Sequence, residues 1–475
     1  MFGILLFIEI VIYFFLTPEG YSRLFVAFQI IVVGVSIFLF LSSFFKKKQS
    51  SWLLPTIIFL LGFIIVNFQL YLVFVLWGSP VKSYHDWFYW ADFKVFSKCV
   101  TISTVALLSF FQGYKVKWDF KVTFPEIIKY SFATPNITIL LFLAYAFYIL
   151  FFFTAGVKYR SGAYAAGDAQ VISRYFFMLF NMLVIACFAN KFYFLRLKYD
   201  RRVSVVKYCR ELGAPLAFLV AWHMLYSLYV GDRGPFISYC LLFGGVYFAR
   251  FRKVTFVHFI AVLIPAAILM TAIGDIRSRD ASNIGFTNRL LTQLKGGSES
   301  GDHLQNTAEL AGSVRVLHHI VSSVPSKYPY KYGEGQFRQF IGWVPFFSSN
   351  YLALRYGDNF HFKHKSSSNF ATFLIQGDYP TYGNGTSAVA DLYLDLGLLG
   401  VIVGMILFGY FMKKVDRTVI SSQPVNFIMI IFTCTYFFSA LYLGRATILT
   451  PVKITMQIFL ICIINFILIK KLARR

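Results

Sequence analysis

Acidic residues are scarce in this 475-residue chain: 21 Asp and Glu stand against 45 Lys and Arg, and charged residues of either sign make up only 14%. A soluble domain carries about a quarter charged residues, so an ordinary water-soluble protein is excluded. A soluble nucleic-acid binder is excluded with it, despite the net charge of +24. The six cysteines form no CxxC pair and no Cys/His ligand spacing; five lie in apolar runs and Cys209 in a basic loop. Neither a disulfide scaffold nor a thiolate metal site is expected from them. The chain also lacks a P-loop, an Asp-x-Asp pair and an HExxH frame, the usual ligands of nucleotides, metal-bound sugar nucleotides and hydrolytic zinc. No internal repeat or inverted-half symmetry is visible, which argues against a transporter assembled from repeated halves.

What fills the chain is apolar: 58% hydrophobic residues, including 57 Phe and 30 Tyr, and a mean hydropathy of +0.64. A helix crossing about 30 Å of hydrocarbon needs roughly 20 apolar residues. That template predicts an all-α polytopic membrane protein with twelve spans, near 2–16, 24–45, 53–77, 95–113, 134–156, 174–190, 214–230, 234–249, 254–273, 386–412, 425–442 and 449–469. The first begins without a basic n-region or a small-residue cleavage site, so it is expected to be a retained span and not a signal peptide. Alternate loops and the tail carry 24 Lys and Arg, against seven in the opposite short loops. Positive charge marks the cytoplasmic side, so both termini are expected in the cytoplasm, and most of the +24 is a topology signal.

Three regions follow: spans one to nine over residues 1–273, a large extracytoplasmic loop over 274–385, and spans ten to twelve over 386–475. The loop is expected to be partly helical and to cap the spans. Leu304 to Ser323 has helical character, with Arg315, His318 and His319 on one face. Val324 to Asn350, rich in Pro, Gly and aromatics, reads as packed turns and short helices. Residues 351–385, with an SSS run and the turn GDYPTYGNG, read as polar and mobile.

Arginines on the outer side run against the topological bias. Arg160 follows the fifth span, Arg233 sits in the turn GDRGP, Arg277 and Arg279 leave the ninth span as IGDIRSRD, and Arg289, Arg315, Arg338 and Arg355 follow in the loop. Guanidinium is permanently charged and forks onto phosphate oxygens, which makes it the expected ligand of a lipid-linked pyrophosphate. The alternative is pairing with neighbouring aspartates or lipid headgroups. Five of the eight histidines (His303, His318, His319, His361 and His364) belong to the loop. His319 or His318 beside Arg315 is a candidate general base, a hydrogen-bonded surface histidine being the alternative; no metal is expected. Glu309 in the loop, and Asp391 and Asp395 in the first turns of the tenth span, are candidate carboxylate bases. Asp391 alternatively caps its helix or pairs with Arg277 or Arg445. Glu9, within the first span, is expected to have an interfacial partner. Tyr332, Trp343 and Tyr382 are candidates for stacking on sugar faces, with packing and interfacial belts as the alternative.

Three strings carry a family resemblance: GDRGPF at 231–236, a VP…YxxGxxF…VP pattern at 324–345, and GNGTSAVADLYLDLGLLGVIVGM at 383–405. Together they resemble the Wzy-type O-antigen and repeat-unit polysaccharide polymerases. In that family a Gly/Ser turn precedes an acidic residue two before Tyr-Leu and a Gly-x-x-Gly entering a span; here these are Asp391, Tyr393, Gly397 and Gly400, with Asp395 between. Asp391 stands where Glu is frequent, Phe346 where Arg often follows the second proline, and the Arg-x10-Gly motif is missing from the loop.

The resemblance implies a GT-C-class membrane glycosyltransferase of the bacterial inner membrane. Such an enzyme moves a growing glycan from undecaprenyl pyrophosphate onto the next undecaprenyl-pyrophosphate-linked repeat unit, without metal or cofactor. Membrane lipid, a chain-length regulator and a flippase are its expected partners, and nucleic acid is not. An O-antigen ligase is the nearest alternative, but it tends to carry His-Asn before the tenth-span equivalent, and Gly385–Ala390 contains none. A lipid-linked oligosaccharide flippase or transporter is the second.

Overall fold

In the computed structural model the described residues are 1–45, 51–77, 92–116, 132–160, 171–199, 202–252, 254–261, 310–344, 346–421 and 425–473. Among them every regular element is a helix. Seven are long and apolar enough to cross a membrane: α2 (Arg23–Phe45), α3 (Pro55–Trp77), α4 (Phe96–Lys115, led by a 3-10 turn), α6 (Val171–Lys198), α14 (Ala388–Ile420), α15 (Phe427–Ser439, continued by a 3-10 segment to Arg445) and α16 (Thr450–Leu472). An eighth arises if α7 (Val205–Leu212) and α8 (Ala214–Val230), bent by 102° across Gly213, count as one span. Two further expected spans appear as shorter apolar helices, α1 (Phe2–Phe15) and α5 (Thr138–Thr154). The expected eighth span is α9 (Arg233–Tyr239), continued through a π turn to Arg250. Most of the expected ninth lies outside the described residues.

At the centre stands α4, buried along almost its whole length. It crosses α14 at glycines. A Cβ on Gly113 would collide with the Ile406 carbonyl, and one on Gly409 with the Phe110 carbonyl. Apolar helices gain nothing from leaving water once they are in lipid, so small residues that allow backbone approach carry the packing. Phe40 of α2 stacks on Phe111 of α4 at 4.2 Å. Buried polar groups tie the frame together. Glu9 accepts from Gln29 Nε2 at 2.9 Å, a partner buried between two spans and not the interfacial one expected for it. Asp416, near the end of α14, accepts from the Tyr114 hydroxyl at 2.8 Å and the Thr56 amide at 3.3 Å. Arg196 donates to the Thr418 and Ser421 carbonyls, and Arg250 to those of Ile420 and Ser421, so two cations close the C-terminus of α14.

The segment 310–385 is more ordered than its composition suggests. It forms α10 (Val314–Ser323), α11 (Glu334–Ile341), α12 (Phe347–Tyr356), a 3-10 turn at Phe362–His364 and α13 (Ser367–Gln376). The SSS run begins a helix: Ser366 Oγ accepts from the Asn369 amide at 3.0 Å, an N-cap. The polar turn after α13 is organised by Gln376, which accepts from the Thr381 amide at 2.9 Å and donates to the Tyr382 carbonyl at 2.8 Å.

The α4–α14 crossing makes a direct prediction. Gly409→Ala forces backbone apart and is expected to cost about 1–3 kcal/mol, read as a lower melting temperature in detergent. Gly34→Ala, where a Cβ meets no described residue within 4 Å, is expected to leave it unchanged or raised; equal melting of both variants would contradict the packing.

Candidate functional site

The site forms where α14 breaks. Ser387 caps the helix, its Oγ accepting from the Ala390 amide at 3.1 Å. The first two turns carry Asp391 and Asp395 on one face at i, i+4. Leu396 (φ −143°) and Gly397 (φ +61°) then leave helical geometry before the helix resumes. Gly397 is demanded twice over: its φ is left-handed, and a Cβ would lie 2.9 Å from the Tyr330 hydroxyl. A break in an apolar helix strands backbone carbonyls that lipid cannot satisfy. Here the Lys331 amide donates to the Leu394 carbonyl at 3.0 Å and the Tyr332 amide to the Asp395 carbonyl at 2.8 Å. The Tyr393 ring meets Tyr330 edge-on at 6.1 Å, so the 328–332 segment packs against α14 at the break.

Two left-handed residues, Tyr332 (φ 47°) and Gly333 (φ 82°), then turn the chain into α11. The Asp395 carboxylate receives the Gly335 and Gln336 amides at 3.1 and 3.2 Å, satisfying donors that a helix start leaves open. A Cβ at Gly335 would sit 2.9 Å from Asp395 Oδ1, so a larger residue there would displace the capping carboxylate. Behind this cap, Arg338 grips the carbonyls of His364 and Lys365 and pairs with Glu334 at 3.8 Å. Glu334 also meets Arg355 at 3.3 Å and the Tyr356 hydroxyl at 2.9 Å, and His364 stacks on Tyr356 at 4.1 Å.

A small pocket remains between these parts, lined by Lys331, Arg338, Ser366, Ser367, Asp391 and Asp395 among others. Asp391 is buried and accepts from the Thr386 hydroxyl at 3.1 Å, with Ser367 lining the same pocket. The Lys331 ammonium lies 4.9 Å over the Phe370 ring. Burial lowers its proton affinity below the usual lysine range, and Arg338 adds to that, while Glu334, Asp395 and Asp391 oppose it. The pocket therefore pairs a carboxylate able to accept a proton with fixed cations.

A second charged cluster begins one residue before Thr386. A Cβ on Gly385 would stand 3.7 Å from Arg445 Nε. Arg445 and Tyr382 both act electrostatically on Arg315, whose own affinity for its proton is lowered, chiefly by burial, to about 10. Asn384 beside them is 1% exposed, and among the described residues its side-chain amide has no hydrogen-bond partner. The GDRGP turn approaches the same region: Asp232 caps α9 by accepting from the Gly234 amide at 3.3 Å, and Gly234 lies near the Tyr442 hydroxyl.

The structure thus brings Arg338 to Asp391 and Arg315 to Tyr382, with the turn of Arg233 close to the segment that ends in Arg445. Arg160 is exposed at the end of a single turn beside Tyr226 and does not line the pocket. Tyr332 is 75% exposed, while Trp343 is half-buried with its carbonyl accepting from Gln457 at 3.2 Å. His319 is half-buried on α10. His318 beside it is fully buried, its Nε2 2.9 Å from the Tyr71 hydroxyl and its ring stacked on Tyr71. Glu309, Arg277 and Arg279 lie outside the described residues. Sequence reasoning passed over Lys331, Glu334 and Ser367. The i, i+4 spacing of Glu334 and Arg338, and the Ser-x-x-Asn of the cap, were the available signals.

Apolar spanning helices around a charged pocket at a broken span define a polytopic membrane protein with a buried polar site. The family model of the O-antigen polysaccharide polymerase Wzy matches residues 1–475, and the chain belongs to that family. Family membership makes it a glycosyltransferase-type polymerase of lipid-linked oligosaccharide repeat units in a membrane. No curated protein and no solved structure matches the chain.

Burial of His318 lowers its pKa to about 4. The folded protein holds this ring neutral, so its contribution to stability is complete above the unfolded value near 6.5. That contribution falls as pH drops from there towards 4, reaching about 3 kcal/mol in all. The double variant Tyr71→Phe/His318→Phe is expected to flatten the acid limb of a melting-temperature profile in detergent. An unchanged acid limb would contradict this reading.

Proposed function

We propose that the chain transfers a growing glycan from undecaprenyl pyrophosphate to the next undecaprenyl-pyrophosphate-linked repeat unit, with Asp391 as the general base. The observation that carries this reading is the junction at 384–387: Thr386 hydrogen-bonds Asp391 at 3.1 Å, and Gly385, one residue earlier, abuts Arg445. The acceptor hydroxyl gives its proton to Asp391 and its oxygen attacks the anomeric carbon of the donor. The bond from that carbon to the pyrophosphate oxygen breaks, and undecaprenyl pyrophosphate departs. Arg315 and Arg445, extended by Arg233, Arg277 and Arg279, receive the developing charge. Lys331 holds the acceptor side of the pocket polarised, and Tyr382 stacks on sugar. Pyrophosphate is already a good leaving group, so fixed cations suffice and no metal is required.

In the same reading the protein is a twelve-span GT-C enzyme of the bacterial inner membrane with cytoplasmic termini. Residues 274–385 face the outside, and a flippase and a chain-length regulator act alongside it. In a gene-deletion strain, electrophoresis of the surface polysaccharide should show core with a single repeat unit. Bare core would instead indicate a ligase, and accumulation of the lipid-linked unit inside the cell a flippase. Complementation with Asp391→Asn, expressed at wild-type level, is expected to leave polymer at least about 100-fold reduced. A full ladder from that variant would remove Asp391 from the chemistry.

A further inference from the structure

Helices α11 and α12 have their polarity reversed. On α11 the charged side chains Glu334 and Arg338 are 8% and 6% exposed, whereas Phe337 and Phe340 are 51% and 56% exposed. The pattern continues through Phe346 at 80%, Phe347 at 55% and Leu354 at 89%. No charged residue occurs between Gln339 and Leu354. In water this arrangement would expose a contiguous aromatic patch while burying ions, which is unfavourable on both counts. In lipid it is the expected arrangement.

The anchoring points agree. Asp395, which caps α11, lies seven residues into α14, and Gln457, which holds the Trp343 carbonyl, lies seven residues into α16. At 1.5 Å per residue each contact is about 10 Å along a spanning helix. Helix α16 has 23 residues, little more than the roughly 20 that a bilayer needs, so Gln457 lies within the hydrocarbon. Exposed Leu460 and Ile464 continue the same apolar surface along α16. The far end of α12 carries Arg355 and Tyr356, both exposed, residue types that settle at the membrane interface.

We propose that α11 and α12 form a re-entrant hairpin whose aromatic face is bathed in the acyl chains of one leaflet. Part of the region that composition assigns to an aqueous loop is then membrane-embedded, and the charged pocket is walled from lipid by this hairpin. The proposal stands whichever carboxylate is the base.

Spin labels test it. In full-length protein with Cys209→Ser and Cys240→Ser, reconstituted in phosphatidylethanolamine/phosphatidylglycerol vesicles, single labels are placed at Phe340→Cys and Phe347→Cys. Ile464→Cys serves as the lipid standard and Tyr379→Cys, in the polar turn, as the aqueous standard. Collision with oxygen is expected to exceed collision with a water-soluble nickel chelate several-fold at 340 and 347, as at 464. Nickel accessibility like that of 379 would overturn the proposal by placing the face in water. Labels immobilised and shielded from both reagents would overturn it by showing a second copy or another protein on the face.

Discussion

The Asp395 carboxylate ties a broken membrane helix to the start of another helix, and the site depends on that tie. Breaking α14 at Leu396 and Gly397 leaves carbonyls without helical partners; starting α11 leaves amides without theirs. Each deficit meets the other. The Lys331 and Tyr332 amides satisfy the carbonyls of Leu394 and Asp395, while the Asp395 side chain satisfies Gly335 and Gln336. Neither element is satisfied alone at membrane depth, where water does not reach stranded backbone groups. The interlocked pair fixes where Lys331 and Asp391 face each other. It also explains the glycines at 335 and 397, positions where a Cβ would strike Asp395 and Tyr330 respectively.

The rest of the molecule serves that junction from both ends. Glycine contacts between α4 and α14 hold the long segment of α14 rigid, and Arg196 and Arg250 close its far end. On the site side, Arg338 uses its guanidinium on the His364 and Lys365 carbonyls, which positions Ser366 and Ser367 at the pocket. Arg338 was read from the sequence as a phosphate ligand. Its place in the structure is a clamp at the pocket wall. Gly385, which approaches Arg445, directly precedes Thr386, the hydrogen-bond partner of Asp391, so the proton acceptor and the anion cradle of the proposed reaction adjoin along one stretch of chain.

Composition, hydropathy and the Lys/Arg bias made the helical membrane character legible, and Asp391 stood out because an acid inside an apolar run is costly. The family motif around 383–405 located the break without revealing it, since a Gly-x-x-Gly entering a span reads equally as a packing seam. Three things were not legible. Asp395 looked like a second catalytic acid, yet both its oxygens cap backbone amides. His318 looked accessible on a polar face but is packed against Tyr71 and Phe96. The SSS run looked mobile because a serine N-cap and a linker share a composition until the partner amide is known. In each case the deciding group is far away in sequence or belongs to the backbone, where side-chain patterns carry no record of it.

The most direct test of the interlocked break is in vitro polymerisation of lipid-linked repeat units by purified Gly397→Ala protein, checked for unaltered elution and membrane insertion. With a Cβ directed at the Tyr330 hydroxyl and a left-handed φ that alanine resists, the break cannot keep its geometry. Chain extension should then fall by about 100-fold, as expected for a misplaced reacting group. Extension at the wild-type rate and to the wild-type length would contradict the dependence of the site on the break.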